Sequence, residues 1–260
     1  MVEYFEDLSD YEVDLVDRDI KLILIDNFPW NSSTDRIMRL EEIILSEFPT
    51  IDLETVHYTN LKKVSIENAI GFILAGSTLY ISKFYYNKEL ELSFKSEMDI
   101  IRNCKNIPIL GICYGHQLVA YTFRGQVHHF HSHLSNQGII SINFDSTDEL
   151  IDHPKIKVNV HHSDYVMSDD LYILRDFDII STKTIHGINI IQYMKHKTYP
   201  IYSIQFHPET HNSYFYVDSN HEEKTETREI GEDIIKRFIL ICLERYFIQK
   251  EDVFFFRNLI

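Results

Sequence analysis

The sequence predicts an α/β protein in which helices cover a mostly parallel central sheet. First, apolar runs of strand length alternate with helix-like segments in the first half of the chain, in the order βαββαβα. A strand buried on both faces of a parallel sheet has such a continuous apolar sequence. Second, short alternating segments between turn residues fill much of the second half and predict added or antiparallel strands on the same sheet. Third, 260 residues, 44% of them hydrophobic, suffice for one substantial core.

The elements of the first half follow from periodicity and punctuation. A buried strand is predicted over residues 20–26, and apolar residues recur at helical spacing from Asp35 onward, with Ser33 or Thr34 as the N-cap. The remaining predicted elements of this half are strands at 52–59, 69–76 and 108–112, one helix at 88–104, and a helix that begins after residue 113.

The second half is predicted to add strands and to end in a helix. The predicted strands are 138–145, 157–166, 171–177, 187–194 and 199–207. The final helix is expected over 231–247, with Gly231 at its start. These elements suggest an acidic N-terminal extension (1–18), one domain (19–247) and an apolar C-terminal tail (248–260), which we expect to dock on the domain.

Charge and cysteine content limit the classes of function. The chain carries 25 Lys and Arg against 40 Asp and Glu, a formal charge of −15, which disfavours a nucleic-acid partner. The residues Cys104, Cys113 and Cys242 lie far apart and are typical of reduced thiols. No apolar run approaches the roughly 20 residues of a membrane span, and the first residues lack a signal pattern. These features predict a cytoplasmic protein that does not interact with a membrane.

Cys113 lies between two glycines where a strand becomes a helix. The stretch Gly111-Ile-Cys-Tyr-Gly115 fits a nucleophile elbow, in which a tight turn lifts the nucleophile above the sheet edge and small neighbours avoid clashes. The positive end of the following helix favours a thiolate there. The alternative is a small buried hydrophobic residue at a strand end. The glycine spacing favours the nucleophile.

A base for this thiol is offered by the segment SIQFHPETH, residues 203–211. His207 follows a predicted strand, so it would lie at the carboxyl edge of the sheet, where ligands bind in open α/β folds. Glu209, two residues later, can face the same way and hydrogen-bond the imidazole. The sequence has 14 histidines, and it is the His-Pro-Glu context after a strand that distinguishes His207.

Acyl transfer also needs donors for an oxyanion. The N–H of Tyr114, directly after the thiol, is one candidate. The turn around Gly76 and Ser77, after the strand at 69–76, is the second.

These three pieces, in this order, resemble the class I (triad) glutamine amidotransferases. GICYGHQ (111–117) resembles the family's nucleophile motif, QFHPE (205–209) its His-Glu motif, and LAGS (74–77) its oxyanion loop. VNVHHSDYV (158–166) is similar to a segment that holds the amino-acid end of the substrate. The motifs are most similar to the amidotransferase part of GMP synthetases. The family loop usually reads Gly-Gly-Pro, whereas this chain has Gly76-Ser77-Thr78.

The resemblance implies a flavodoxin-like three-layer α/β sandwich and a Cys113–His207–Glu209 triad without a cofactor. Glutamine would be hydrolysed through a γ-glutamyl thioester, with Gly76, Ser77 and Tyr114 at the oxyanion. Four residues would contact the substrate: Gln117, His162, Ser163 and Asp164.

Three functions stay open. The chain could be an amidotransferase that passes ammonia to a separate synthetase, since neither a synthetase domain nor a P-loop motif follows the triad motifs. It could be a stand-alone hydrolase of γ-glutamyl compounds. It could also be a catalytically silent binding module, which the intact Cys, His and Glu disfavour.

The segment VHHFHSH, residues 127–133, raises the question of a metal site. Alternate histidines there (His129, His131 and His133) would share one face of a strand, as zinc ligands can. No cysteine or clear carboxylate ligand lies beside them. We therefore expect a polar strand or loop face rather than a metal site.

Overall fold

A computed structural model describes residues 20–29, 35–131, 134–209 and 221–257, with side chains from 224 to 248 in the last range. The strands in these ranges are β1 (Lys21–Asp26), β2 (Asp52–His57), β3 (Ala69–Leu74), β4 (Ile109–Ile112), β5 (Val127–His129), β6 (Asn136–Asn143), β7 (Lys155–His162), β8 (Asp164–Val166), β9 (Phe177–Ile185), β10 (Ile188–His196) and β11 (Ile201–Ile204). The helices are α1 (Asp35–Glu47), α2 (Lys88–Ser93), α3 (Lys95–Asn103), α4 (Tyr114–Thr122), α5 (Leu171–Asp176) and α6 (His221–Arg257), with 3-10 turns at Tyr58–Lys63 and Ile81–Tyr85.

The central sheet confirms the predicted mixed α/β class. Its seven strands run in the order β2-β1-β3-β4-β11-β10-β9. The first five are parallel, and β10 and β9 continue the sheet as antiparallel strands. The remaining strands form two separate antiparallel pairs, β5 with β8 and β6 with β7. The prediction that 138–145 and 157–166 join the main sheet is therefore wrong.

Two layers of helices sandwich this sheet, as the alternation of side chains along β1 shows. Leu22 and Leu24 face a core that includes α1, α6 and the β6–β7 pair. Ile23 and Ile25 face the opposite core, which includes α3 and α4. This three-layer arrangement confirms the predicted flavodoxin-like sandwich.

Two predicted elements take another form. Residues 171–176 form α5 instead of a strand, because the Asp170 carboxylate accepts hydrogen bonds from the backbone N–H groups of Tyr172 and Ile173 and caps a helix. The predicted helix at 88–104 is broken into α2 and α3 at Phe94. The fully buried Phe94 ring stacks on Tyr58 at a centroid distance of 4.1 Å, so the residue between the two helices packs into the core.

The final helix starts earlier and ends later than expected. It begins at His221, so Gly231 lies inside it and not at its start, and it passes through the expected domain end at 247. The predicted N-cap at 33–34 and the extension 1–18 lie outside the described residues, as do the last residues of the tail, 258–260.

The order of neighbouring strands creates the site. β3, β4 and β11 are adjacent and parallel, so the residues that follow them meet at one edge of the sheet. None of the described helices is both long and apolar enough to cross a bilayer.

Candidate active site

Cys113 occupies a tight turn between β4 and α4. Its φ of 52° and ψ of −95° lie in a region that residues other than glycine rarely adopt. Two backbone bonds fix the turn: the Cys113 N–H donates to the Ile204 carbonyl at 2.9 Å, and the Gln117 N–H donates to the Cys113 carbonyl at 3.1 Å. The sulfur lies 3.8 Å from the His161 carbonyl oxygen. This is the geometry predicted for a nucleophile elbow.

The flanking glycines are required by close backbone contacts. A Cβ on Gly115 would lie 2.3 Å from the Leu74 carbonyl oxygen, and one on Gly111 would lie 2.8 Å from the Gly115 backbone. Helix α4 can therefore begin directly against β3 and β4 only with glycine at both positions.

His207 lies beyond the end of β11 and is held by backbone and side-chain contacts. Its N–H donates to the Asn159 carbonyl at 2.8 Å, which ties the turn to β7. Its Nδ1 lies 2.7 Å from Glu209 Oε1, and both side chains are 1% exposed. The Glu209 contact engages Nδ1, and the Cys113 thiol, whose charge raises the pKa of His207, lies beside the imidazole.

Opposing influences act on the protonation of this pair. Burial and the Arg36 charge lower the pKa of His207, but Cys113 and Glu209 outweigh them and raise it from 6.5 to about 9. Burial raises the pKa of Glu209, yet His207 and Arg36 bring that pKa below its usual value. The site therefore favours an imidazolium held by a carboxylate.

Arg36, on α1, is a site residue that sequence reasoning missed. Its Nη1 lies 2.7 Å from Nδ1 and 2.6 Å from Nε2 of His207, so it lies against the ring and not in line with one lone pair. It also lies 3.9 Å from Glu209 Oε1. Its position on α1, far from either motif along the chain, offered no sequence signal.

The loop after β3 lies beside both the thiol and the imidazole. A Cβ built on Gly76 would be 2.9 Å from His207 Cε1 and 3.8 Å from Cys113 Cβ. The Ser77 hydroxyl donates to the Asn27 carbonyl at 2.6 Å and accepts from the Leu79 N–H at 3.0 Å, which fastens the loop. Gly76 thus lies next to the predicted reaction centre.

Tyr114 provides the other predicted oxyanion donor. It is the first residue of α4 and lies directly after the thiol in the chain. Its side chain is 1% exposed and packs against Phe94 at a centroid distance of 5.2 Å. Its backbone N–H belongs to the first turn of a helix, where such groups lack intrahelical acceptors.

The four residues predicted to contact substrate lie around the same edge, and three are engaged with one another. Gln117 Nε2 donates to the Asp164 carbonyl at 2.8 Å, and His162 Nδ1 donates to that same oxygen at 2.8 Å. Burial is the main cause that lowers the pKa of His162 to about 4. Ser163 is half-buried, and its carbonyl accepts from the Phe130 N–H at 2.9 Å.

The Asp164 carboxylate is buried and points towards the protein interior. It accepts from the Ser82 N–H at 2.8 Å and the Ser82 hydroxyl at 2.9 Å. His129 Nδ1 lies 2.6 Å from the same carboxylate. The carboxylate therefore joins β8 to the 3-10 turn and to β5, while the Asp164 carbonyl faces Gln117 and His162. Of the three alternate histidines, His129 is thus paired with Asp164, and His133 lies outside the described residues.

Comparisons with known proteins agree with this geometry. The family model "Glutamine amidotransferase class-I" matches residues 51–216. One subunit of a glutamine-hydrolysing GMP synthase from Methanobrevibacter smithii is 30% identical over 188 residues, which cover 72% of this chain and 80% of the relative.

Solved structures show the same fold. A GMP synthase subunit from Thermoplasma acidophilum aligns with a TM-score of 0.65 at 25% identity, over 89% of this chain and 98% of that one. A glutamine amidotransferase from Thermotoga maritima aligns with a TM-score of 0.66 at 16% identity, over 85% and 99% of the two chains.

The resemblance inferred from the motifs is thereby confirmed. The family model covers more than half of the chain and includes both the cysteine and the histidine motifs. This chain belongs to the class I glutamine amidotransferases and is a cysteine-dependent enzyme of that family.

Proposed function

We propose that the enzyme hydrolyses the side-chain amide of glutamine through a thioester on Cys113 and passes the ammonia to a separate synthetase chain. The observation that carries the proposal is the buried His207–Glu209 pair, joined at 2.7 Å, which lies beside the strained elbow that bears the Cys113 thiol. A buried, oriented acid–base pair beside a thiol is the arrangement that nucleophilic catalysis requires.

In the first half of the reaction, the Cys113 thiol gives its proton to neutral His207, which forms the thiolate–imidazolium pair that the raised pKa of His207 favours. The thiolate attacks the side-chain carbonyl carbon of glutamine, and the carbonyl oxygen becomes an oxyanion. The N–H groups of Tyr114 and of the Gly76–Ser77 loop stabilise that charge. The C–N bond then breaks, the nitrogen takes the proton from His207, and ammonia leaves a γ-glutamyl thioester.

In the second half, water attacks the thioester carbonyl while His207 accepts a proton from it. The C–S bond breaks, the thiolate recovers its proton from His207, and glutamate leaves. Glu209 holds the imidazole by Nδ1 throughout, so that Nε2 faces the reacting groups.

The proposed substrate contacts are Gln117, His162, Ser163 and Asp164. Support comes from their place beside the thiol and from the carbonyl of Asp164, which Gln117 and His162 share. In this proposal Asp164 contributes through its backbone, while Ser82 and His129 hold its carboxylate behind the pocket.

The proposed partner is a synthetase chain in trans. The relatives are named as subunits of a glutamine-hydrolysing GMP synthase, which supports a separate chain that uses the ammonia. We also propose that residues 19–247 carry the activity, with 1–18 and 248–260 as an extension and a tail.

Glutamate release from glutamine tests the reaction. The intact chain is expected to release glutamate, with and without the ATP-dependent chain of a GMP synthase, its ATP and its nucleotide substrate. Cys113→Ala is expected to abolish release, and His207→Ala to lower kcat by at least 10²-fold. Transfer of the amide nitrogen of ¹⁵N-glutamine into the nucleotide product would support the partner.

Other outcomes separate the alternatives. Cleavage of γ-glutamyl amines or peptides without release from glutamine would support the stand-alone hydrolase. No turnover of any γ-glutamyl compound, together with no adduct from a glutamine-like electrophile, would contradict the enzymatic proposal and support the binding module.

A further inference from the structure

The loop that bears Gly76 is fastened to one residue just beyond β1. Asn27 Nδ2 donates to the Ala75 carbonyl at 3.1 Å, and the Asn27 carbonyl accepts from the Ser77 hydroxyl at 2.6 Å. The residue between these two anchor points is Gly76, so Asn27 holds both sides of the position nearest the thiol and the imidazole.

Asn27 is in turn held by a carboxyl group from the helical layer. Glu97, on α3, accepts from Asn27 Nδ2 through Oε1 at 3.0 Å. Both side chains are 0% exposed. A buried charged carboxylate without a cationic partner is unfavourable, and burial raises the pKa of Glu97 from 4.5 to about 8, so the group is largely neutral at pH 7.

Helix α3, which carries Glu97, packs on α4, which begins at the other proposed oxyanion donor. Tyr114, the residue directly after the thiol, packs against Phe94 at the start of α3, and burial raises the pKa of its hydroxyl. Three buried polar atoms here have no hydrogen-bond partner among the described residues: Asn27 Oδ1, Glu97 Oε2 and the Tyr114 hydroxyl. Unsatisfied buried polar groups are rare in proteins, and such a cluster points to a functional constraint.

We propose that Asn27 and Glu97 are positioning residues that set the oxyanion loop, with the Ser77 hydroxyl as its anchor. The proposal rests on the proposed function and deepens it. Where the family loop has a second glycine, Ser77 adds a hydrogen bond that glycine cannot make. The pair connects the loop after β3 to α3, and α3 packs on the helix that Tyr114 begins, so both halves of the anion hole rest on the same buried helix.

We expect the loss of Asn27 or Glu97 to lower kcat and to leave KM nearly unchanged. Donors in an oxyanion hole act on the charge that develops in the transition state, and removing one lowers kcat by roughly 10²–10³-fold. Asn27→Ala and Glu97→Ala displace the donors without deleting them, so we expect kcat for glutamine to fall about 10- to 100-fold. KM should stay within about 3-fold, because neither side chain contacts the proposed substrate residues in the described structure.

The experiment compares steady-state glutamine hydrolysis by the full chain and by Asn27→Ala, Glu97→Ala, Glu97→Gln and Ser77→Ala. The rate at which iodoacetamide alkylates Cys113, followed by peptide mass, serves as a control. This reaction measures the reactivity of the thiol but forms no oxyanion, so it does not depend on the oxyanion donors. We expect the alkylation rates of all variants to stay within about 3-fold of the native chain. Glu97→Gln keeps a neutral group with an acceptor oxygen and should restore most of the kcat that Glu97→Ala loses.

Unchanged kcat in Asn27→Ala and Glu97→Ala would overturn the proposal, and so would a Glu97→Gln variant as slow as Glu97→Ala. If either alanine variant fails to fold, Ser77→Ala tests the proposal instead. We expect this variant to lose kcat by 3- to 10-fold, and an unchanged kcat would overturn the proposal. The proposed function fails separately, if the native chain shows no Cys113-dependent turnover. Native turnover with unaffected variants contradicts only this inference.

Discussion

Cys113 holds a backbone conformation that costs about 1–3 kcal/mol for a residue with a side chain. The structure maintains it through the bonds to Ile204 and Gln117 and through the close approach of Gly115 to Leu74. The spacing of the two glycines made this turn predictable. At the residue scale, therefore, a strained position can be recognised in the sequence when its neighbours must be small.

The triad electrostatics predict opposite pH shifts in two variants. His207 must be protonated to give its proton to ammonia, and its raised pKa of about 9 means that this form is lost as pH rises through about 9. Glu209→Gln removes a group that raises the pKa, so the alkaline limb of kcat/KM should move to lower pH, and kcat should fall by roughly 10²–10⁴-fold. Arg36→Gln removes a group that lowers the pKa, so the limb should move to higher pH.

The measurement is kcat/KM for glutamine between pH 6 and 10. Shifts of the same sign in both variants would contradict the assigned electrostatics. Glu232→Gln, a change of charge at a surface ion pair on α6, serves as the control and should leave the limb in place.

Glu97 predicts a pH dependence of stability with a definite sign. Its pKa rises from 4.5 to about 8 on folding, so between these values the unfolded chain releases a proton that the folded chain keeps. The free energy of unfolding therefore falls as pH rises from about 4.5 to 8, by up to about 1.4 kcal/mol per pH unit. Glu97→Gln lacks this effect.

Thermal unfolding of both proteins from pH 4.5 to 9 gives the test. The Tm of Glu97→Gln minus that of the native chain should grow with pH and level off above about 8. A constant difference would mean that Glu97 is charged in the folded protein. The buried Tyr114 hydroxyl, whose pKa burial raises, stays neutral throughout this range.

At the scale of elements, α6 supports the turn that carries His207 and Glu209. A Cβ on Gly231 would lie 2.0 Å from the Pro208 carbonyl oxygen, so the helix backbone lies directly against that turn. The prediction that this helix starts at Gly231 is wrong, because the residue lies inside it. Its actual role depends on a contact between distant segments, which no local pattern encodes.

The substitution Gly231→Ala has two opposing effects on stability, one from helix propensity and one from packing. Alanine would stabilise an unconstrained helix by about 1 kcal/mol, but here the new methyl meets backbone atoms that cannot rotate away. We expect a net loss of about 1–3 kcal/mol of stability and a lower kcat for glutamine, measured by denaturant unfolding and glutamate release. Glu229→Ala, exposed on the same helix, should change stability by less than about 0.5 kcal/mol. A Gly231→Ala protein as stable and active as the native chain would refute the supporting role of this contact.

Where the sequence prediction failed, tertiary packing decided the structure. Residues 171–176 alternate like a strand, but they form a helix because Asp170 caps its N-terminus and Ile173 is buried. Asn27 and Glu97 could not be found from the sequence for a related reason. An acidic residue on an amphipathic helix is usually solvated, and only the packing of α3 on the sheet shows that Glu97 is buried.

At the scale of the whole molecule, the order of the strands assembles the site. Gly76, Cys113 and His207 are spread over more than a hundred residues of sequence, and they meet because β3, β4 and β11 are neighbours in the sheet. The motifs and the rule that ligands bind at the carboxyl edge predicted this meeting. The contribution of Arg36 required the three-dimensional structure, since α1 reaches the site only through its packing on the sheet.

The three cysteines allow the central claim to be tested without ambiguity. Burial raises the pKa of Cys104, which is half-buried, and raises that of the buried Cys242 well above its usual value. Neither is expected to compete with a thiol paired with His207. Only one of the three should therefore react as a nucleophile towards a glutamine analogue.

The most direct measurement is labelling of the full chain with a diazoketone analogue of glutamine, followed by peptide mass spectrometry. We expect one adduct, on Cys113, formed at a rate that excess glutamine suppresses and that His207→Ala lowers at least 10-fold. An adduct on Cys104 or Cys242 instead, or no adduct on Cys113 while the chain still releases glutamate from glutamine, would contradict the proposed role of Cys113.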